Sequence, residues 1–195
     1  MKKILSKTSL LSCALLISNI SYAEDGHYIG ADVHFTDVEY DYQPSSFSSE
    51  DSSDNVVNFG INYGYKYSFE NNIFINPEIY YDRLDSTAKD QSSPANENKI
   101  KDIEGAKLNI GYNLQDNFGV YASIAHISVD YSIGSNAIND KISDLSYGFG
   151  ARYYISNKLS ARLEYNTANF NLNYGTGDRE VADINTTRLG VAYHF

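Results

Sequence analysis

Apolar residues recur at every second position in eight segments between residue 27 and the end of the chain. The clearest is 56–67, where Val57, Phe59, Ile61, Tyr63, Tyr65 and Tyr67 alternate with Asn58, Gly60, Asn62, Gly64 and Lys66. Segment 145–155 repeats this, with Leu145, Tyr147, Phe149, Ala151, Tyr153 and Ile155 set against Ser146, Gly148, Gly150, Arg152 and Tyr154. Segments 27–36, 73–82, 106–114, 159–167 and 184–195 follow the same rule. Segment 118–131 puts Val120, Ala122 and Ile124 on one face, but its phase is ambiguous near Ala125 and His126. A period of two predicts strands with one oily and one polar face.

The connections are of two kinds. Residues 68–72, 115–117 and 156–158 read as tight turns, whereas 43–55, 85–103, 132–143 and 175–183 are long and polar. Long and short alternate strictly, so a barrel with both termini on one side puts every long loop on the other. The apolar phase flips after Thr36, where Val38, Tyr40 and Tyr42 take over, and again near Ala168, where Phe170, Leu172 and Tyr174 do. Either a bulge or a strand extension beyond the membrane accounts for such a flip.

A soluble sandwich also alternates, so the faces must decide. The polar faces carry glycines and charges of both signs, as an enclosed polar lumen would. The oily faces carry Tyr near their ends, where interfacial girdles need aromatic rings. Lipid leaves no open sheet edge satisfied, so membrane strands must close on themselves. A mean hydropathy of −0.41 is too polar for a helical membrane protein but suits a barrel with only alternate residues facing lipid. The expected fold is an all-β, eight-stranded, antiparallel, up-and-down transmembrane barrel over residues 24–195.

Residues 1–23 read as a signal peptide. Lys2, Lys3 and Lys7 precede the apolar run from Leu10 to Ile17, and Ser21-Tyr22-Ala23 supplies small residues before a cut at Glu24. The run is far shorter than the roughly 20 residues of a spanning helix. Leu10-Leu11-Ser12-Cys13 loosely resembles a lipobox, but cleavage there would fall before the apolar run ends. Cleavage after Ala23 leaves 172 residues without cysteine, with 12 basic residues against 25 acidic ones and a net charge of −13. That excludes disulfides and thiolate metal sites, and no nucleic-acid partner is expected of so acidic a surface.

The final strand, with Leu189, Val191, Tyr193 and terminal Phe195, resembles the assembly signal of bacterial outer-membrane barrels. Together with the leader, the Gly-rich strands and Asn76-Pro77-Glu78-Ile79-Tyr80-Tyr81, it makes the chain similar to the small OmpA/OmpX-like and opacity-type surface proteins. The resemblance implies a Gram-negative outer membrane and a surface protein with a structural or adhesin-like role. Its partners would be outer-membrane lipid and lipopolysaccharide, the barrel-assembly machinery acting on Tyr193 and Phe195, and host or surface ligands at the four long loops. It implies no cofactor, no metal and no enzyme activity.

Inward positions include Asp32, His34, Lys66, Glu78, Asp82, Lys107, Arg152, Arg162, Glu164 and Arg188. A lumen of eight strands is just wide enough for side chains to fill, and buried charges need partners. Glu78, Lys107, Arg152, Arg162, Glu164 and Arg188 are the expected central network of a mostly closed lumen, and a narrow porin is the alternative. His126-Ile127-Ser128 resembles the His-x-Ser of barrel lipid A deacylases, in which His activates Ser for attack on an ester. Val129-Asp130 follows where that family has Asn, the family's downstream Pro-Asn element is absent, and the third member would have to be Asp130, Asp140 or Asp144. A lipid A-modifying hydrolase is therefore the second alternative. The loop from Ser45 to Asn55 is acidic and low in complexity, without the spacing of an EF-hand.

Overall fold

A computed structural model describes residues 25–43, 50–89, 97–133, 138–173 and 179–195. The expected leader and the tips of the four long loops lie outside these residues. Eight strands follow in order: β1 (Gly26–Gln43), β2 (Glu50–Ser68), β3 (Ile73–Lys89), β4 (Glu97–Gln115), β5 (Phe118–Ile133), β6 (Ile138–Ser156), β7 (Leu159–Asn173) and β8 (Arg179–His194). Each pairs antiparallel with its sequence neighbours, and β8 closes on β1 from Tyr28↔His194 to Gln43↔Arg179. The result is the closed eight-stranded barrel that the alternation predicts.

Three of the connections are tight, as expected. Between β2 and β3 the Phe69 amide bonds the Ile73 carbonyl at 2.8 Å, and Asn72 takes a left-handed φ of 65°. Asn tolerates that conformation better than most residues. The loops expected at 43–55, 85–103, 132–143 and 175–183 are shorter than the sequence suggests. Residues 50–55, 85–89, 97–103, 138–143 and 179–183 belong to strands.

Chemistry on the two faces inverts at one level near the long-loop end. Below it the outer face is oily: Phe35, Val57, Tyr81, Leu145, Tyr165 and Leu189 mark its upper rim and are exposed. One step higher on the outer face stand Asp37, Asn55, Arg83, Ser143, Thr167 and Thr187. The inner face changes the other way. Polar Thr36, Asn58, Asp82 and Thr186 give way to a buried apolar cluster that includes Val38, Leu84, Ile100, Ile103, Ile127, Val129, Phe170 and Ile184. Oil facing out marks lipid, and oil facing in marks water.

The phase flips are therefore strand extensions. β1 stays in unbroken register with β2 and β8 through Thr36, so no bulge lies there. β7 runs unbroken along β8 through Ala168. Register shifts do occur nearby, at Arg83/Ser86 between β3 and β4 and at Ile100/Ile103 between β4 and β5, where the alternation did not suggest them.

Above the oily band the barrel also divides. Pairing of β2 with β3 stops at Phe59↔Arg83, and pairing of β6 with β7 stops at Ser146↔Ala168. Among the described residues the upper strands thus form two four-stranded sheets, β7-β8-β1-β2 and β3-β4-β5-β6. The apolar cluster fills the space between them, as in a sandwich core. Across the gap between β2 and β3, Ser86 Oγ donates to Asp54 Oδ2 at 2.8 Å.

Candidate functional site

Below the apolar cluster the lumen holds a charged layer. β1 brings Asp32 inward between Gly60 on β2 and Gly190 on β8, its direct cross-strand neighbours. Gly190 makes room for it, and Gly60 makes room for Asp82. A Cβ on Gly190 would sit 1.8 Å from Asp32 Oδ1, and one on Gly60 would sit 2.0 Å from Asp82 Oδ1. Arg162, from β7, crosses the lumen and grips two carboxylates. Its Nε and Nη2 donate to Asp32 at 2.8 and 2.6 Å, and its Nη1 donates to Glu78 Oε2 at 2.7 Å.

Lys107 stands beside Glu78 in the β3–β4 register and completes the chain of charges. Its ammonium lies 2.8 Å from Glu78 and 2.7 Å from Glu164. Neutral donors take the remaining lone pairs. Tyr28 donates to Glu78 and Tyr121 to Glu164, both at 2.8 Å, and Asn62 donates to Asp32 at 2.7 Å. Arg188 pairs with Asp82 at 2.6 Å, and His34 Nε2 lies 3.6 Å from the same carboxylate. The Tyr80 ring carries Arg188 at 4.5 Å and Lys107 at 5.4 Å from its centroid. Such cation–π contacts are stronger where water is excluded.

The structure thus places Glu78, Lys107, Arg162 and Glu164 in one cluster and Arg188 next to it through Asp82. Arg152 departs from the expected network. It is buried, but among the described residues it forms no ion pair. It stacks 4.8 Å from the Tyr28 ring, and its Nη1 meets the Asn76 side-chain oxygen at 3.1 Å when that amide is turned. The reason lies in the register, which flanks Arg152 with Gly119 and Arg162 and with no acid. Asp32 and Asp82, inward by alternation but outside the six expected at the centre, are the main partners of Arg162 and Arg188. The Tyr28 and Tyr121 hydroxyls were missed as network members, although Tyr28 stands on the polar side of its strand.

The ambiguity of β5 resolves with His126 and Ser128 on the same outward face as Val120, Ala122 and Ile124, and His126 is exposed. The Ser128 hydroxyl lies 2.6 Å from that of Ser143, and among the described residues no hydrogen bond joins Ser128 to His126. Asp130 is also exposed, beside Lys141 in the register. Asp144 has inward parity and accepts from the Leu145 amide at 2.7 Å. The Asp140 side chain lies outside the described residues. Tyr193 and Phe195 face outward at the end of β8, their rings edge-to-face at 5.5 Å.

A family model described as outer membrane protein beta-barrel domain matches residues 8–195. No curated protein sequence matches the chain. Among solved structures, neisserial surface protein A (NspA) is 16% identical, with 87% of this chain and 97% of that one covered at a TM-score of 0.54. The attachment invasion locus protein Ail of Yersinia pestis, in complex with the heparin analogue sucrose octasulfate, is 13% identical. That match covers 86% of this chain and 99% of the other, with a TM-score of 0.50. OprG of Pseudomonas aeruginosa is 14% identical over 91% of this chain and 99% of its own, also at 0.50. At these identities the likeness is one of fold.

Proposed function

Because this chain belongs to the outer membrane protein β-barrel family, we propose that it is a surface protein of the Gram-negative outer membrane that works through the long-loop end of a closed barrel. Residues 1–23 direct its export, and the assembly machinery reads its last strand. The long-loop end faces outward. The observation that carries this reading is the inversion of the two faces. A barrel that only had to span the membrane would end at its oily band. This one continues as two sheets with an apolar core and a polar exterior, which carries the strands beyond the lipid at the long-loop end. Rigid elements presenting variable loops are a common way to build binding surfaces.

Partner chemistry follows from charge. Ail is bound to a sulfated heparin analogue, but a chain with a mature charge of −13 repels polyanions. Neutral or basic protein surfaces suit it better. The test is capture of the purified barrel on immobilised basic matrix proteins and on heparin, using the parent and a form with residues 44–49, 90–96, 134–137 and 174–178 cut to short turns. Retention by the basic surface, lost in the shortened form, supports the reading. Equal retention of both forms, or preference for heparin, overturns it.

A further inference from the structure

The buried charges of the lumen fall into two groups. Asp32, Glu78, Asp82 and Glu164 are the buried acids among the described residues, and Lys107, Arg162 and Arg188 hold all four. The other two buried cations, Arg152 and Lys66, stand nearer the short-turn end. Their neighbours there touch in a chain. Arg152 stacks on Tyr28, and the Tyr28 and His194 rings are 5.3 Å apart. The His194 and Tyr154 rings are 5.9 Å apart, and Lys66 Nζ lies 4.5 Å from the centre of the Tyr154 ring.

Arg152 is 1% exposed, and the Asn76 side-chain oxygen takes its Nη1 when that amide is turned. Its Nε and Nη2 donate to no group among the described residues, and the Tyr154 hydroxyl makes no hydrogen bond there either. Nε–H and Nη2–H lie side by side on one edge of a guanidinium. Arg162 uses that same edge to hold both oxygens of Asp32. A buried charge needs a counter-charge as well as hydrogen bonds. The register supplies none to Arg152, which it flanks with Gly119 and Arg162. Water accepts from such an edge but does not balance its charge.

We propose that the Nε–Nη2 edge of Arg152 binds one small, planar, singly charged oxyanion of the carboxylate type at the short-turn end of the lumen. The two oxygens of the ligand stand to Arg152 as those of Asp32 stand to Arg162. The Tyr154 hydroxyl, at the next inward position of β6, is a further donor. Tyr28 and Tyr154 are fully buried, so the ligand must be no larger than a formate or an acetate. The chain as a whole is acidic, but surface charge is screened over about 8 Å at physiological ionic strength, and Arg152 and Lys66 make this end of the lumen basic. The site lies inside the barrel and holds whichever end of it faces outward.

The test is urea unfolding of the barrel in detergent, read by heat-modifiable mobility, with sodium formate or sodium acetate replacing sodium chloride at constant ionic strength. In the parent either carboxylate is expected to raise the ratio of folded to unfolded protein roughly tenfold at a fixed urea concentration, the response to a ligand at about ten times its Kd. Arg152→Met is expected to lose the response. Arg152→Lys keeps the charge without the paired edge, covers the case of Arg152→Met failing to fold, and is expected to keep only a small part of the response. Lys158→Gln removes an exposed cation at the same end of the barrel and is expected to respond as the parent does. A parent indifferent to both carboxylates overturns the proposal, and so does an undiminished response in either Arg152 variant. Loss of the response in Lys158→Gln would put the anion on the surface and overturn it as well.

Discussion

Arg162 meets Asp32 over the inner face of β8 through two parallel hydrogen bonds, Nε to Oδ1 at 2.8 Å and Nη2 to Oδ2 at 2.6 Å. The two residues are 130 positions apart in sequence, on β7 and β1. β8 separates these strands, and it contributes Gly190 at the point of crossing, in register with both Asp32 and Arg162. The pair thus fastens the closing seam of the barrel from the inside. The fork of a guanidinium matches a carboxylate in a way that an ammonium cannot.

Replacing Arg162 by Met should destabilise the barrel strongly. It removes the partner of Asp32 and one of the two cations at Glu78, and leaves buried carboxylates uncompensated at a cost of about 3–5 kcal/mol. The measurement is urea unfolding followed by heat-modifiable mobility, since the chain has no Trp. A midpoint within error of the parent would show that the lumen is wet enough to solvate Asp32 without Arg162.

Gly190→Ala should weaken the same pair from the other side. The added Cβ overlaps Asp32 Oδ1, which Arg162 holds in place, so either the bond or the strand spacing must give. Overpacking of this kind costs about 1–3 kcal/mol. Ala31→Val, on the adjacent lipid face, serves as the control and should leave the unfolding midpoint near that of the parent.

Two barriers in series oppose ion flow. The charged layer fills the cross-section with paired groups, and the apolar cluster above it offers water no partners. Planar-bilayer recordings should therefore show no large steady channel. Arg162→Met together with Phe170→Ser opens both barriers and should raise leak events above those of either single change. A wide ohmic pore in the parent would mean that the lumen is not packed as described.

The barrel was legible because lipid imposes one rule on every outer position, and that rule leaves a period of two in segments such as 56–67. The same rule made Asp32, Glu78, Lys107, Arg152, Arg162, Glu164 and Arg188 recognisable as inward. It could not say which of them meet. Pairing across a lumen depends on strand tilt and depth, so Arg152 lies beside Tyr28 instead of joining Glu78. The lengths of the loops were misjudged for a related reason. Above the lipid the rule reverses, and Ser53, Asn55, Lys141 and Asp183 look like loop residues when only their outer neighbour has changed from oil to water. The division into two sheets left no trace at all, because it rests on which strands stop pairing and not on what any residue is.

Topology is open to a direct test. Protease sites or tags at residues 48, 92, 137 and 178 should be accessible on intact cells, and one at 157, in the turn between β6 and β7, should not. Access at 157 with protection of the other four would turn the barrel upside down.

Phe195 separates assembly from stability. Its amide bonds the His27 carbonyl at 3.0 Å, and the His194 amide bonds the Lys158 carbonyl at 2.8 Å, so the chain end is tied to β1 and to the turn before β7. The Phe195 side chain itself is 70% exposed and touches Tyr193 at the rim. Deleting it removes one backbone bond worth about 1 kcal/mol and little packing. Purified protein should therefore refold in detergent almost as well as the parent. In cells the expected outcome is different, because Phe195 is proposed to be read by the assembly machinery before the barrel closes. Less folded barrel should reach the outer membrane, and more should be degraded in the periplasm. Heat-modifiable mobility reports the folded fraction in both settings. Equal membrane levels for deletion and parent would reduce Phe195 to one more girdle aromatic. Equal losses in cells and in detergent would instead assign its role to folding, with the His27 bond as the reason.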